Sequence, residues 1–215
     1  MSADTRSYAQ LCGIATALDV VGDRWALLVV RDLMFGPLRF GDLVEGLPGI
    51  GTNTLTARLR QLEAAGVVRR RLADRAIVYE LTPYGHELEP ILMALGRWGT
   101  RSMGRLPAEV AARSRWLVAG MLAFRGGTRR TARPAIWALN LSDGPFTVRA
   151  GGRDVSIVAG APERPDHAIT AADTDLRALL TGRMTSDTAI ASGACTVSDA
   201  AALPDLLALF AFPPL

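Results

Sequence analysis

The residues able to do chemistry are few, and their spacing favours binding over bond-making. The 215-residue chain has two histidines, His86 and His167, and two cysteines, Cys12 and Cys195. No Ser-His-acid or Cys-His set is spaced for nucleophilic catalysis, no cluster has metal-ligand spacing, and no glycine-rich phosphate loop precedes a helix. We therefore expect no catalytic residue, metal or cofactor, and a protein that is not an enzyme. What is concentrated is positive charge. All 24 basic residues are Arg, whose guanidinium binds phosphate and guanine edges bidentately where Lys cannot. Residues 51–75 hold Arg58, Arg60, Arg69, Arg70, Arg71 and Arg75 against Glu63 and Asp74, a balance of +4 that exceeds the +3 of the whole chain. Charge focused in this way suits a polyanion surface.

The elements that would position these arginines follow from hydrophobic spacing and caps. Leu11, Ile14, Ala15 and Leu18 predict a helix over Tyr8–Val21, ended by Gly22. Asp23 precedes an apolar helix over 25–33 that Gly36-Pro37 stops, and a short helix follows over 40–47. After the turn Pro48-Gly49-Ile50-Gly51, Thr52 is expected to cap a helix over 53–65 closed by Gly66. Two short helices around a glycine turn make a helix-turn-helix pattern. On the second helix Leu55, Leu59 and Leu62 fall in one arc and belong to the core. Asn53, Ala57 and Arg60 lie opposite, flanked by Thr54, Thr56 and Gln61, with Thr52 at the start. Short side chains let such a face enter a major groove, while Asn, Gln and Arg offer bidentate contacts to bases; Arg58 leans aside, toward a phosphate. Runs 67–72 and 76–81 around Ala73-Asp74-Arg75 read as a hairpin, a wing whose Arg69, Arg70, Arg71 and Arg75 would meet phosphates or the minor groove. Alternation sends some of these four to opposite faces. Thr82 then caps a helix expected over 83–103.

Leu18-Asp19-Val20-Val21-Gly22-Asp23-Arg24-Trp25, Arg39-Phe40-Gly41-Asp42-Leu43, Leu55-Thr56-Ala57-Arg58-Leu59-Arg60-Gln61-Leu62-Glu63, Gly66-Val67-Val68 and Tyr79-Glu80-Leu81-Thr82-Pro83-Tyr84-Gly85 resemble the HxlR-type subgroup of bacterial winged-helix regulators, over about residues 8–103. The resemblance implies a transcriptional regulator that pairs through its terminal helices, here about 8–21 and 84–103. Such a dimer would read a pseudo-palindrome with half-sites roughly 34 Å apart. It also implies a redox role for Cys12, since some members sense oxidants or aldehydes at a cysteine just before the first helix. Gly13 stands here where those members carry proline. The competing reading of Cys12 is a buried packing thiol.

The text changes character near residue 105, and Gly104-Arg105-Leu106-Pro107 is the natural joint between domains 1–104 and 105–215. A helix over about 108–124 and an Arg-rich loop over 125–133 lead into strand-like runs over 135–141, 146–150, 155–159 and 168–172. Asp143-Gly144 and Gly151-Gly152 favour tight hairpins and an antiparallel sheet. Helical patterns at 175–180, 187–191 and 203–210 complete an α+β domain. Leu180-Thr181-Gly182-Arg183 through Ala191-Ser192-Gly193, with Leu203-Pro204-Asp205-Leu206, resembles the sterol carrier protein fold, which implies an apolar tunnel for a lipid-like ligand. The candidate lining is Trp116, Trp137, Phe146, Met184, Leu206 and Phe210, for each of which ordinary core packing is the competing reading.

The whole reads as a homodimeric regulator of double-stranded DNA, its second domain holding a small apolar effector. The alternative is an apolar-ligand carrier or small-molecule enzyme whose winged helix serves only for dimerisation. With no long apolar run, no apolar signal core and no paired-cysteine framework, the expectation is a cytoplasmic protein without a membrane partner.

Overall fold

The computed structural model describes residues 7–103, 113–126, 131–152, 154–200 and 202–213. The chain falls into two compact units, Met1–Pro90 and Ile91–Leu215. The joint expected at 104–107 lies outside the described residues.

The first unit holds α1 (Gly13–Val21), α2 (Ala26–Leu33), β1 (Leu38–Arg39), α3 (Phe40–Gly46), α4 (Thr52–Ala64), β2 (Val68–Ala73), β3 (Ala76–Leu81) and α5 (Pro83–His86). Val29, Val30, Leu33, Leu43, Leu55, Leu59 and Leu62 bury almost completely to form its core, each contributing about 1.5–3 kcal/mol of apolar burial. β3 sits between β1 and β2 in an antiparallel sheet.

Three local expectations change. The first helix starts at Gly13, not Tyr8. Upstream of it the Asp19 carboxylate accepts from Ser7 Oγ (2.8 Å) and the Tyr8 amide (3.0 Å), and Ala9 takes a positive φ of 50° that helix excludes. Thr52 is the first residue of α4 and not its cap; Gly51 is the extended N-cap, and the Thr52 carbonyl accepts from the Thr56 hydroxyl at 2.8 Å. Thr82 does cap α5, accepting from the Gly85 amide at 3.0 Å. The single terminal helix expected over 83–103, however, divides into α5 and α6 (Glu89–Thr100), because Pro90 has no N–H to give the His86 carbonyl.

The second unit comprises α6 from Ile91 onward, α7 (Ser114–Ala123), β4 (Thr131–Leu141), β5 (Gly144–Gly152), β6 (Asp154–Ala159), β7 (His167–Ala171), α8 (Asp173–Leu180), α9 (Ser186–Ala191), β8 (Cys195–Val197) and α10 (Ala202–Leu207). Arg97 of α6 donates to the Ala123 carbonyl ending α7 at 2.8 Å. The expected helix over 108–124 is seen as α7; residues 108–112, and 127–130 of the Arg-rich loop, lie outside the described residues.

The five strands run in the order β6-β5-β4-β7-β8. The sheet is mixed, which corrects the expected antiparallel one: β4–β5–β6 is an antiparallel meander, but β7 runs parallel to β4, with Trp137 opposite His167. The cause is Asp166, whose carboxylate accepts from the Ile136 amide (2.8 Å) while its own amide donates to the Ile136 carbonyl (2.8 Å). This pins the returning chain beside the incoming end of β4. Direct pairing places Trp137, Leu139, Phe146, Val148, Ile157, His167, Ile169 and Cys195 on one face, and all but His167 are buried. Arg149, Ser156, Thr170 and Thr196 point the other way and are exposed, the alternation of a sheet covered on one side. α7 packs against β6 and α9 against β8. A buried polar pin joins three elements. Ser114 Oγ donates to the Asp173 carboxylate (2.8 Å) and accepts from the Asp143 amide (2.9 Å), tying the start of α7 to the β4–β5 turn and to α8.

Candidate nucleic-acid interface

α4 separates core from surface cleanly. Leu55, Leu59 and Leu62 are 0–2% exposed, whereas Thr52, Asn53, Thr54, Ala57 and Arg60 are exposed and Thr56 half-buried. Asn53, Ala57 and Arg60 thus form one outward stripe at the spacing of two helical turns. Arg60 makes no ion pair among the described residues.

Arg58 and Gln61 sit differently. Gln61 donates its amide to the Asp19 carbonyl at 3.0 Å, and its Oε1 accepts from Arg58 Nη1. Arg58 also lies 3.5 Å from the Asp23 carboxylate. Both side chains are half-buried and tie α4 to the end of α1. Spacing alone sets Gln61 beside the outward face and leans Arg58 aside toward a phosphate; Asp19 and Asp23, well upstream, draw the two side chains in.

The wing is a two-residue hairpin, with Ala73 paired to Ala76 and both Asp74 (φ 47°) and Arg75 (φ 63°) in the left-handed region. That geometry suits a type I′ turn, and it costs a non-glycine residue on the order of 1 kcal/mol. Arg75 is thereby held exposed at the tip, with no ion pair among the described residues. Its neighbours are engaged. Arg69 and Arg71 share one face and both bind Glu80, at 2.8 and 2.7 Å. Arg70, on the other face, binds Glu63 of α4 at 3.1 Å. The two guanidinium groups, Arg71 foremost, hold the Glu80 carboxyl below the usual carboxylate range. Sequence reasoning missed Glu80: a three-residue turn at 73–75 would set Tyr79 opposite Arg69, whereas the two-residue turn sets Glu80 there. It missed as well the exposed apolar pair Leu72–Ile77, directly opposed near the tip.

Cys12 is exposed at the N-cap of α1. The backbone amides at the start of α1, Ala15 first and then Ile14, favour the thiolate and lower its pKa, as a helix N-terminus does. The packing-thiol reading required burial, which this chain does not provide. Cys195 is the buried thiol: burial, helped by Asp175, pushes it up. Leu11, Ile14 and Leu18 around α1, and Ile91, Leu95 and Trp98 on α6, are exposed.

Of the candidate ligand-lining residues, Trp137, Phe146, Leu206 and Phe210 are buried, and Trp116 and Met184 half-buried. Trp137 and Phe146 share the covered face of the sheet, on adjacent strands. Among the described residues no helix is long and apolar enough to cross a membrane.

The HxlR-like helix-turn-helix family model matches residues 20–106, a span holding α4 and the wing. The HTH-type transcriptional regulator sll1512 of Synechocystis is 39% identical over 93 residues, which cover 42% of this chain and 69% of that protein. The HTH-type transcriptional regulator YdeP of Bacillus subtilis is 32% identical over 105 residues, 47% of this chain and 82% of its own. Among solved structures, the HTH-type transcriptional regulator YtcD is similar at 33% identity and a TM-score of 0.42, covering 44% of this chain and 99% of that one. These curated relatives are HTH-type transcriptional regulators.

Proposed function

Because the chain belongs to the HxlR-like helix-turn-helix family, we propose that it is a transcriptional regulator that binds double-stranded DNA as a homodimer, α4 of each protomer reading half of a pseudo-palindromic operator. The observation that carries this reading is the exposed stripe Asn53, Ala57 and Arg60 on a helix whose opposite side is fully buried. Arg60, long and with no ion pair among the described residues, reads a base edge; Thr52, Asn53, Thr54 and Thr56 supply short polar contacts. Arg75 takes a phosphate from the tip of the wing. Arg69, Arg70 and Arg71 contribute to the extent that DNA displaces Glu80 and Glu63. Arg58 and Gln61 set the position of α4 more than they touch DNA. The exposed apolar residues of α1 and α6 meet a second copy, and the protein works beside the genome in the cytoplasm. Cys12, exposed and with a lowered pKa, is an oxidant- or aldehyde-responsive thiol.

The functional domains are 1–104 and 105–215, the second a sterol-carrier-protein-like module that holds an apolar effector. A one-sided sheet with an aromatic buried face supports that assignment. The effector acts on DNA binding only by preferring one dimer geometry to another.

Gel shifts with genomic fragments test the reading. Arg60→Ala relaxes sequence choice, costing about 1–3 kcal/mol of discrimination at one position. Arg75→Ala weakens all sequences alike and lowers the salt slope by about 0.9 per protomer. A parent protein that binds every fragment equally, or two variants that behave like it, overturns the proposal.

A further inference from the structure

The wing carries an apolar patch beside its cations. Leu72 of β2 and Ile77 of β3 are directly opposed one pair behind the tip, and are 69% and 52% exposed. A cross-strand pair steadies a hairpin, but this one leaves both large side chains mostly in water. Strand alternation decides which way they face. Leu72 lies two residues beyond Arg70, whose guanidinium reaches Glu63 of α4 at 3.1 Å, and Val68, two residues before Arg70, is buried in the core. Leu72 and its partner Ile77 therefore project on the α4 side of the wing. Beyond them only Ala73 opposite Ala76 and the turn residues Asp74 and Arg75 remain, so the tip is slender.

The charges around the pair select its partner. The hairpin holds four exposed arginines, Arg69, Arg70, Arg71 and Arg75, against one exposed acid, Asp74. A second copy of this chain would bring the same cations and be repelled. Duplex DNA suits such a surface, because its strands alternate anionic phosphates with the C–H faces of deoxyribose rings. We propose that Leu72 and Ile77 pack on deoxyribose rings of the strand that separates the major groove, where α4 sits, from the adjoining minor groove, where the wing tip enters. The proposal rests on the DNA-binding reading above and adds sugar to what the wing holds. Arg75, and Arg70 once drawn from Glu63, take phosphates to either side, and the apolar pair covers the sugars between them. Such a contact releases no counterions, so its share of the affinity is independent of salt, unlike that of the arginines. It carries no sequence information and serves every operator alike.

The test compares the full-length parent with Leu72→Thr/Ile77→Thr, which keeps β-branched residues on exposed strand positions, and with the apolar exchange Leu72→Ile/Ile77→Leu. Fluorescence anisotropy with a labelled duplex of arbitrary sequence, over a salt series, gives affinity and slope. The threonine substitutions weaken binding about tenfold or more at every salt concentration and leave the slope unchanged, while the apolar exchange binds like the parent. Hydroxyl-radical footprinting, which attacks deoxyribose from the minor groove, is run on the duplex that the parent enriches from a randomised library. The parent protects sugars beside each half-site; the threonine substitutions lose that protection but keep the protection of guanine N7 in the major groove from methylation. Unchanged affinity and footprint overturn the sugar contact and leave the pair to a protein partner. A loss accompanied by a shallower slope overturns it too, since the arginines then carry the effect. Parent sugars left unprotected beside the half-sites overturn it without any variant. A parent that binds duplex but enriches no sequence overturns the operator reading alone, the anisotropy still deciding the pair; a parent that binds no duplex overturns both.

Discussion

Glu80→Gln separates what the wing arginines do for the fold from what they do for DNA. In the parent, one Glu80 oxygen binds Arg69 Nε at 2.8 Å and the other binds Arg71 Nε at 2.7 Å. The arginine side chains are 62% and 46% exposed and the glutamate 14%. Both cations therefore face solvent while sharing one anion across the hairpin. The substitution keeps the shape and an acceptor oxygen but removes the charge. Exposed pairs of this kind contribute about 0–1 kcal/mol each, so the fold survives. The effect on DNA is larger, because each phosphate newly neutralised adds about 0.9 to the slope of log K against log salt. If both arginines are freed, the slope steepens by up to about 1.8 per protomer, equivalent near 0.1 M salt to an affinity gain of up to roughly 60-fold. Fluorescence anisotropy with a labelled duplex of arbitrary sequence, over a salt series, measures both quantities, because phosphate contacts carry no sequence information. An unchanged slope, or weaker binding, refutes the reasoning: the face with Arg69 and Arg71 would then not meet the duplex.

The same pair predicts a pH dependence. The Glu80 carboxyl is held below its ordinary value, so its contribution to stability is full above the unfolded pKa of about 4.3 and is lost as pH falls through the lower folded value. The melting-temperature difference between parent and Glu80→Gln, present at neutral pH, should accordingly vanish in acid; a difference that persists at the lowest pH refutes the assignment. Alkylation at graded pH should modify Cys12 readily, its thiolate forming below the ordinary pH, and Cys195 only on unfolding. Equal rates for the two thiols in the native protein refute the contrast. Trp98→Glu, placed where the indole is 69% exposed on α6, should convert a dimer to a monomer by light scattering, since a charge buried in an apolar interface goes unpaired. An unchanged mass removes α6 from the interface.

Much of the first unit was legible because its signals are local. The leucine spacing of 55, 59 and 62 buries one side of α4 and so exposes Asn53, Ala57 and Arg60, whatever surrounds the helix. Turn residues and β-branched runs likewise give the wing and the β4–β5–β6 meander within a few residues. The errors come where a distant or single-atom contact decides. Asp19 folds back residues whose spacing predicts helix, and the missing N–H of Pro90 divides the last helix of the first domain.

By itself the sequence determined which residues turn outward, because helix and strand periods act within a few residues and bury their apolar side against whatever is available. Only the tertiary structure decided which charges remain unpaired and which distant residues meet. Glu80 reaches Arg69 and Arg71 across a hairpin, Gln61 reaches Asp19 across 42 positions, and Trp137 meets His167 through a parallel pairing that Asp166 sets. Ion pairs and hydrogen bonds depend on separations of a few ångströms between atoms, and chain spacing does not encode those separations once the contact is non-local.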